Sequence, residues 1–216
     1  MTFYHEINLY AKDKSEKEIL QNAFQALEAN VDGISTNIVH LPAVKNILPN
    51  DKTLSCPIDY PNGLNDTSMR QHSVITAIRK GANVIDLVVN SIFIVDKKED
   101  KLIQDIEAIL QICKKNGVTL RVMLDYRLFE PRVFMRTVKL LVERGIEYFY
   151  PSTGHFLDSY VDNLLAAQEI QTKYKVMTIV NGNIWHETQY DNIHGSGVFG
   201  IRFKSPHNLS FIKNGV

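Results

Sequence analysis

Short apolar runs alternate along the chain with longer segments in which apolar residues recur every three or four positions. Runs rich in β-branched and aromatic residues, bounded by Gly, Pro, Asn or Asp, are typical of β-strands. The pattern therefore predicts eight strands, at Tyr4–Tyr10, Val31–Ile38, Thr53–Tyr60, Val84–Asn90, Thr119–Asp125, Glu147–Ser152, Val176–Asn181 and Val198–Phe203.

Five of the segments between these runs have a helical period. Ser15 is predicted to cap the first helix, because Glu18 follows it at the spacing of a capping box. Helices that begin at Ser, Asp or Pro and end at Gly follow the usual asymmetry of helix ends. The other four predicted helices are Ser68–Lys80, Lys101–Lys115, a segment from Glu130–Pro131 to Gly145, and Asp158–Tyr174.

This alternation predicts a (β/α)8 TIM barrel of the α/β class, and 216 residues place the chain near the lower size limit of that fold. We expect one domain over residues 1–216. A doubly wound open sheet is the alternative, although the first turn lacks the G-x-G-x-x-G sequence of a dinucleotide-binding domain. Only residues 204–216 follow the last predicted strand, so we expect a compact barrel whose final helix is short or missing.

Composition narrows the functional classes. The 24 basic and 24 acidic residues cancel, and this balance argues against a general nucleic-acid-binding protein. The sequence shows neither an apolar window of 18 residues nor a signal peptide, so we expect a cytoplasmic protein without a membrane partner. Cys56 and Cys113 lack metal-site spacing and the seven histidines are scattered, so we expect neither metal nor cofactor.

The active site of a TIM barrel forms at the carboxyl ends of its strands. Asp86 lies inside an apolar strand, where a carboxylate is costly unless it is paired. It is either an active-site carboxylate or a structural one bonded to backbone or arginine. In the strand Thr119–Asp125, Arg121 lies on the same face as Asp125. Three roles are open for Arg121: it neutralises Asp86 across the barrel, it binds an anion, or it faces solvent.

Later strand ends offer further polar groups. The turn Asn181-Gly182-Asn183 has backbone N–H groups that suit a phosphate, although an ordinary turn explains it equally well. Arg202 is either an anion contact or a surface charge.

Six segments resemble the deoxyribose-phosphate aldolase (DeoC) family. The most specific is Gly81–Asn90, which is similar to the family's Gly-Ala-x-Glu-Ile-Asp-Met-Val-Ile-Asn stretch. The resemblance implies a TIM barrel, commonly a homodimer, that cleaves 2-deoxyribose 5-phosphate to acetaldehyde and glyceraldehyde 3-phosphate through a lysine Schiff base. The other similar segments are Ile7–Tyr10, Tyr60–Gly63, Leu120–Asp125, Tyr148–Gly154 and Ile179–Ile184.

The chain departs from this pattern at the positions of the family's catalytic lysines. Tyr150 stands at the Schiff-base position, Ile179 at that of the lysine that tunes it, and Arg121 at that of a further lysine. The first-strand aspartate of the family is Asn8, and the phosphate-binding serine pair corresponds to Arg202–Phe203. The residues that keep the family's identity are Asp86, Ser152, Thr153, Gly154 and Gly182.

A Schiff base needs a primary amine of lowered pKa, which neither Tyr150 nor the guanidinium of Arg121 supplies. We therefore expect the aldolase reaction to be lost or strongly reduced, as in a pseudoenzyme that keeps a pocket for a small polar or phosphorylated metabolite. The first alternative is an active lyase or isomerase that uses acid–base chemistry or a relocated lysine, with Lys204 as the candidate. The second is a structural or regulatory barrel.

The candidate residues fall into two groups. The catalytic candidates are Asp86, Arg121, Asp125 and Tyr150. The substrate-binding candidates are Asn8, Ser152, Thr153, Gly154, Asn181, Gly182, Asn183, Arg202 and Lys204.

Overall fold

A computed structural model describes residues 2–156 and 159–212 of the chain. Eight parallel strands close into a barrel in which each strand pairs with the next and the last pairs with the first. This confirms the predicted TIM barrel. The strands are β1 (Tyr4–Asn8), β2 (Gly33–Ser35), β3 (Thr53–Ile58), β4 (Val84–Val88), β5 (Thr119–Met123), β6 (Tyr148–Tyr150), β7 (Met177–Asn181) and β8 (Gly200–Phe203).

The helices surround the barrel and connect consecutive strands. They are α1 (Glu16–Glu28), α2 (Leu41–Ile47), α3 (Thr67–Arg79), α4 (Ser91–Val95), α5 (Glu99–Lys115), α6 (Pro131–Glu143), α7 (Tyr160–Tyr174) and α8 (Glu187–His194). Two short 3-10 helices, Tyr126–Leu128 and Pro206–Phe211, complete the described structure. The second of these follows β8.

The predicted helices are confirmed with small shifts at their ends. Ser15 forms the expected capping box with Glu18. Asp66 caps α3, so that helix begins one residue earlier than predicted. Ser159 caps α7, and the predicted start at Asp158 lies outside the described residues. The pattern missed α2, α4 and α8, which have only five to eight residues and too few turns to show a period.

Successive side chains of each strand point alternately outward, into the apolar core beneath the helices, and inward, into the barrel interior. Ile85 and Leu87 of β4 are fully buried in the main apolar core between the sheet and the surrounding helices. Phe134, Val138 and Leu141 form the buried stripe of α6. Each such side chain contributes about 1.5–3 kcal/mol by leaving water. The opposite face of the strands points into the barrel, and it carries the polar residues.

The described helices include none long and apolar enough to cross a membrane.

Candidate site in the barrel and at its mouth

Four charged side chains fill the barrel interior. Glu6 on β1, Asp86 on β4, Arg121 on β5 and Arg202 on β8 are each at most 3% exposed. Their formal charges cancel, because two are carboxylates and two are guanidiniums. We call these four residues the interior network.

Arg121 binds both acids of this network. Its Nε and Nη2 donate to the two oxygens of Asp86 at 2.6 and 3.1 Å, a bidentate geometry that guanidinium groups favour. Nη2 also reaches Glu6 Oε1 at 2.8 Å. The predicted neutralisation of Asp86 is confirmed, but the expectation that it acts across the barrel is wrong. Asp86 and Arg121 are direct neighbours on adjacent strands.

Arg202 closes the network from the other side. Its Nε donates to Glu6 Oε2 at 2.6 Å, and its Nη2 contacts Asp86 Oδ2. The alternative of a surface charge at Arg202 is therefore wrong, because the strand that carries it turns this side chain inward. Each carboxylate faces two guanidiniums, and each guanidinium faces two carboxylates.

Tyr150 joins the interior network through its hydroxyl group. The hydroxyl donates to Glu6 Oε2 at 2.9 Å and accepts from Arg202 Nη2 at 2.6 Å. The guanidinium of Arg202 also lies over the Tyr150 ring, 4.3 Å from its centre. The side chain is fully buried.

These contacts fix the protonation states of the interior. Burial raises the pKa of the Glu6 carboxyl, but the positive charges of Arg121 and Arg202 outweigh burial and lower that pKa to about 2. Burial raises the pKa of the Tyr150 phenol well above its ordinary value. Glu6 is therefore ionised and Tyr150 is neutral at physiological pH.

Towards the amino ends of the strands, small and hydroxylated residues surround the Glu6 carboxylate of the interior network. Ser55 Oγ donates to Glu6 Oε1 at 2.8 Å. The Tyr4 hydroxyl lies 2.5 Å from Thr53 Oγ1 and 3.2 Å from Glu6 Oε1. A methyl group at Gly33 would overlap both the Tyr4 hydroxyl and Thr53 Oγ1. Glycine is required there because no side chain fits.

An apolar cluster lies beside the network. Val88, Met123, Tyr150 and Ile179 are buried together, and Tyr60 packs against them. Ile179 and Tyr150 have no exposed surface. The barrel interior is thus closed by side chains.

A small cavity remains at the mouth, at the carboxyl ends of the strands. Its volume is about 250 Å³. We call it the mouth cavity, and the described residues that line it are Asn8, Tyr10, Lys12, Tyr60, Pro61, His155 and Lys204. A larger groove of about 920 Å³ lies on the outside of the barrel, between α5 and α6.

The loop after β3 carries Tyr60 into the mouth cavity and is held by Asp59. The Asp59 carboxylate accepts from the backbone and side-chain nitrogens of Asn65 at 2.9 and 2.8 Å. It also faces Arg70, which is buried and binds Asp105 and the Val88 carbonyl. The loop passes close to β4 at Gly63, where a Cβ would lie 2.6 Å from the Val89 carbonyl oxygen.

Other candidate residues form a separate group near the ends of β5, β6 and β7. The Asp125 carboxylate accepts from Arg127 and from the Thr153 hydroxyl at 3.3 Å. Ser152 Oγ accepts from the Gly154 backbone nitrogen at 3.0 Å. The Asn181 side chain donates to the Thr153 carbonyl at 2.8 Å. These contacts connect the ends of β5, β6 and β7. Asp125 lies beyond the end of β5, whereas Asp86 pairs with Arg121 within the barrel.

The structure thus distributes the candidates over three places. Asp86, Arg121, Tyr150 and Arg202 meet inside the barrel, and Asn8 and Lys204 meet at the mouth cavity. Gly182 and Asn183 follow directly after β7, the former buried and the latter half-buried. The described residues contain no group of three or more His, Cys, Asp or Glu side chains arranged to hold a metal ion.

Sequence reasoning missed Glu6, which contacts both arginines and Tyr150. The signal was weak, because β1 reads Tyr-His-Glu-Ile-Asn, in which Glu6 has polar neighbours at His5 and Asn8. Asp86 stood out because every other residue of β4 is aliphatic.

Comparisons with known proteins place this arrangement in context. No family model matches the chain. The deoxyribose-phosphate aldolase of Histophilus somni (strain 2336) is 28% identical over 143 residues, which are 66% of this chain and 63% of that protein. The deoxyribose-phosphate aldolase of Mannheimia succiniciproducens is 29% identical over the same shares of the two chains. The match therefore spans less than two thirds of the length of these curated relatives.

Solved structures share the fold over nearly the whole chain. The deoxyribose phosphate aldolase of Aeropyrum pernix, described as a unique tetramer, has a TM-score of 0.86 at 15% identity and covers 98% of this chain and 90% of its own. The aldolase QR15 has a TM-score of 0.82 at 20% identity and covers 95% of this chain and 90% of its own. The chain is therefore similar to deoxyribose-phosphate aldolases in sequence, at low identity, and shares their fold.

Three of the positions that the resemblance matches to aldolase lysines lie in the barrel interior. The resemblance assigns the Schiff-base lysine of the aldolases to Tyr150 and their second lysine to Ile179, and both residues are fully buried. Arg121, at the position of a further aldolase lysine, is engaged by Glu6 and Asp86. At the three positions that the resemblance assigns to aldolase amines, this chain thus has a buried phenol, a buried apolar side chain and a paired guanidinium, and all three lie close together.

Proposed function

We propose that this protein is a deoxyribose-phosphate-aldolase-like barrel that has lost the Schiff-base reaction and binds a small polar or phosphorylated metabolite without covalent chemistry. The observation that carries the proposal is Tyr150, a buried phenol where the aldolases need an amine. Its hydroxyl is committed to Glu6 and Arg202. A phenol forms no imine, so the family's covalent intermediate has no attachment point there.

Closure of the interior supports the same proposal. A retro-aldol step would require the substrate carbonyl to reach the centre of the barrel, and the side chains of Tyr150 and Ile179 occupy that region. Acid–base catalysis by Tyr150 is disfavoured on the same ground. Glu6 lies within hydrogen-bond reach of Tyr150, but neither group is open to a substrate.

A second candidate function is an aldolase with a relocated lysine. It is favoured by one observation, namely that Lys204 follows β8 and lines the mouth cavity. An amine there could reach a carbonyl compound without entering the barrel. The cavity contains no buried carboxylate among its described residues to act as the proton carrier, so we rank this function below the first.

We also propose that the chain forms a homodimer. The tetramer described for the similar Aeropyrum pernix aldolase supports self-association. Light scattering on the purified chain tests it. A cytoplasmic location remains a prediction.

Cleavage of 2-deoxyribose 5-phosphate tests the loss of the family reaction. We expect no formation of acetaldehyde above the rate without protein, under conditions in which an aldolase with its lysines intact turns over. Turnover above that rate would contradict the proposal, and its loss in Lys204→Gln would identify the relocated lysine of the second candidate.

A further inference from the structure

The groove of about 920 Å³ on the outside of the barrel leaves several apolar residues exposed. It lies where α4, α5, α6 and the 3-10 helix Tyr126–Leu128 meet, and we call it the outer groove. Val95, Leu128 and Val133 line it, with 65%, 55% and 40% of their surface exposed. Single exposed apolar residues need no explanation, but a cluster of them is typical of an interaction surface.

The outer groove is shaped by the fold itself. Leu102 of α5 lines it and is buried in the main apolar core. Arg136 Nη2 on α6 donates to Glu99 Oε1 on α5 at 2.7 Å, so an ion pair connects the two helices that form its walls. The groove therefore exists before a partner arrives.

The charges along the outer groove cancel. Glu99 pairs with Arg136, and Lys98 pairs with the adjacent Asp96. Four other charged residues of the lining have no ion-pair partner within the described part of the chain, namely Lys97, Lys101, Asp100 and Glu130. Two positive and two negative charges do not select a strongly acidic or a strongly basic partner.

A second copy of this chain matches both the apolar and the charged parts of the outer groove. A two-fold interface brings the same surface of both copies together, so that surface must complement itself. If the axis runs along the groove, the α5 wall with Lys97 and Lys101 faces the other copy's α6 wall, which begins after Glu130. The exposed apolar residues then meet between these charges, as in interfaces with an apolar centre and a polar rim.

We infer that the outer groove is the surface through which two copies of this chain associate. The inference rests on the homodimer of the proposed function and names the face that forms it. The described residues that line the outer groove include none of the mouth cavity or the interior network, so this surface is separate from both.

Analytical ultracentrifugation of the full chain over a range of concentrations tests the inference. We expect a reversible dimer. Val95→Asp and Leu128→Asp should each raise its dissociation constant at least about tenfold, because each places a carboxylate in an apolar contact. Phe24→Asp is the matched control and should leave the constant unchanged. Phe24 is 52% exposed on α1, which follows β1, and β1 lies opposite β5 in the closed barrel.

Cysteine labelling gives a second readout that leaves the dimer intact. Val133→Cys places an accessible thiol in the outer groove, whereas the native Cys56 and Cys113 are buried. When about nine tenths of the chains are dimeric, its reaction with a maleimide should slow about tenfold, because only the monomer exposes the thiol. Phe24→Cys should react at the same rate in monomer and dimer.

The outcomes separate this inference from the rest of the proposed function. Weakening by Val95→Asp and Leu128→Asp, but not by Phe24→Asp, together with protection of Val133→Cys, supports the outer groove as the dimer surface. A dimer that responds equally to all three aspartate substitutions, or to none, overturns this surface and leaves a homodimer through another face. A monomeric wild type overturns both the homodimer and this inference, and assigns the outer groove to a different occupant. The loss of the Schiff base is measured independently of all these results.

Discussion

The hydroxyl of Tyr150 donates a hydrogen bond of 2.9 Å to Glu6 Oε2, although 144 positions separate the two residues in the chain. The bond spans the barrel from β6 to β1. It ties Tyr150, the residue to which the resemblance assigns the Schiff-base position, to a carboxylate that also binds Arg121 and Arg202. A buried network of this kind costs desolvation free energy, so every member depends on the presence of its partners.

Glu6 is the member whose removal should be most damaging. Glu6→Gln leaves two buried guanidiniums facing a single carboxylate, and an unbalanced buried charge costs about 3–5 kcal/mol. We expect the free energy of unfolding, measured in urea, to fall by that amount. The matched control is Glu28→Gln, an exposed residue at the end of α1, which should change stability by less than about 0.5 kcal/mol. Equal effects of the two substitutions would contradict a stabilising role for the network.

Tyr150→Phe removes only the hydroxyl group from the network. Glu6 loses a donor and Arg202 Nη2 loses an acceptor, and the expected loss in unfolding free energy is about 1–3 kcal/mol. Tyr148→Phe is the control, because Tyr148 is a half-buried tyrosine on the same strand, with its ring against Phe199. A wild-type midpoint for Tyr150→Phe would show that the hydroxyl contacts contribute nothing to stability.

The pH dependence of stability should report Glu6 specifically. Its pKa is lowered from 4.5 to about 2 in the folded protein. A lowered pKa adds stability that is fully present above the unfolded value and is lost as the pH falls through the folded value. The stability gap between wild type and Glu6→Gln should therefore shrink as the pH is lowered below about 4.5. A gap that stays constant down to pH 3 would argue that Glu6 is not held ionised by the arginines.

Gly33→Ala tests how tightly the lower part of the interior is packed. The added methyl group would overlap the Tyr4 hydroxyl and Thr53 Oγ1, and overpacking in a core of this kind typically costs about 1–3 kcal/mol. We expect a lower thermal midpoint with an unchanged far-ultraviolet spectrum. An unaltered midpoint would mean that the barrel relaxes around the methyl group.

The fold was largely predictable from the sequence, because apolar residues recur at different spacings in strands and in helices. All eight strands were found, yet most were predicted too long. The polar residues at their carboxyl ends leave the ladder to form turns, as Asp59 does with a φ of 60°. Short helices such as α2 and α4 were not predicted, because five to seven residues are too few to show a helical spacing of apolar positions.

The interior network was only partly predictable. Asp86 and Arg121 were singled out because charges are rare in apolar strands. Asp86 was expected to need a partner, and pairing with Asp86 was one of three alternatives for Arg121. Their pairing with Arg202 and Glu6 depends on barrel closure, which brings β8 beside β1. No spacing in the chain encodes that contact. The mouth cavity was harder still to predict from the sequence, because four separate segments of the chain line it.

Borohydride trapping tests the central claim most directly. The protein is incubated with 2-deoxyribose 5-phosphate or acetaldehyde and reduced, and its mass is measured intact and after peptide mapping, beside an aldolase that forms the adduct. We predict no lysine adduct, because Tyr150 replaces the amine and the interior is closed. A mapped adduct accompanied by turnover would contradict the account and identify the displaced nucleophile, with Lys204 the first position to inspect.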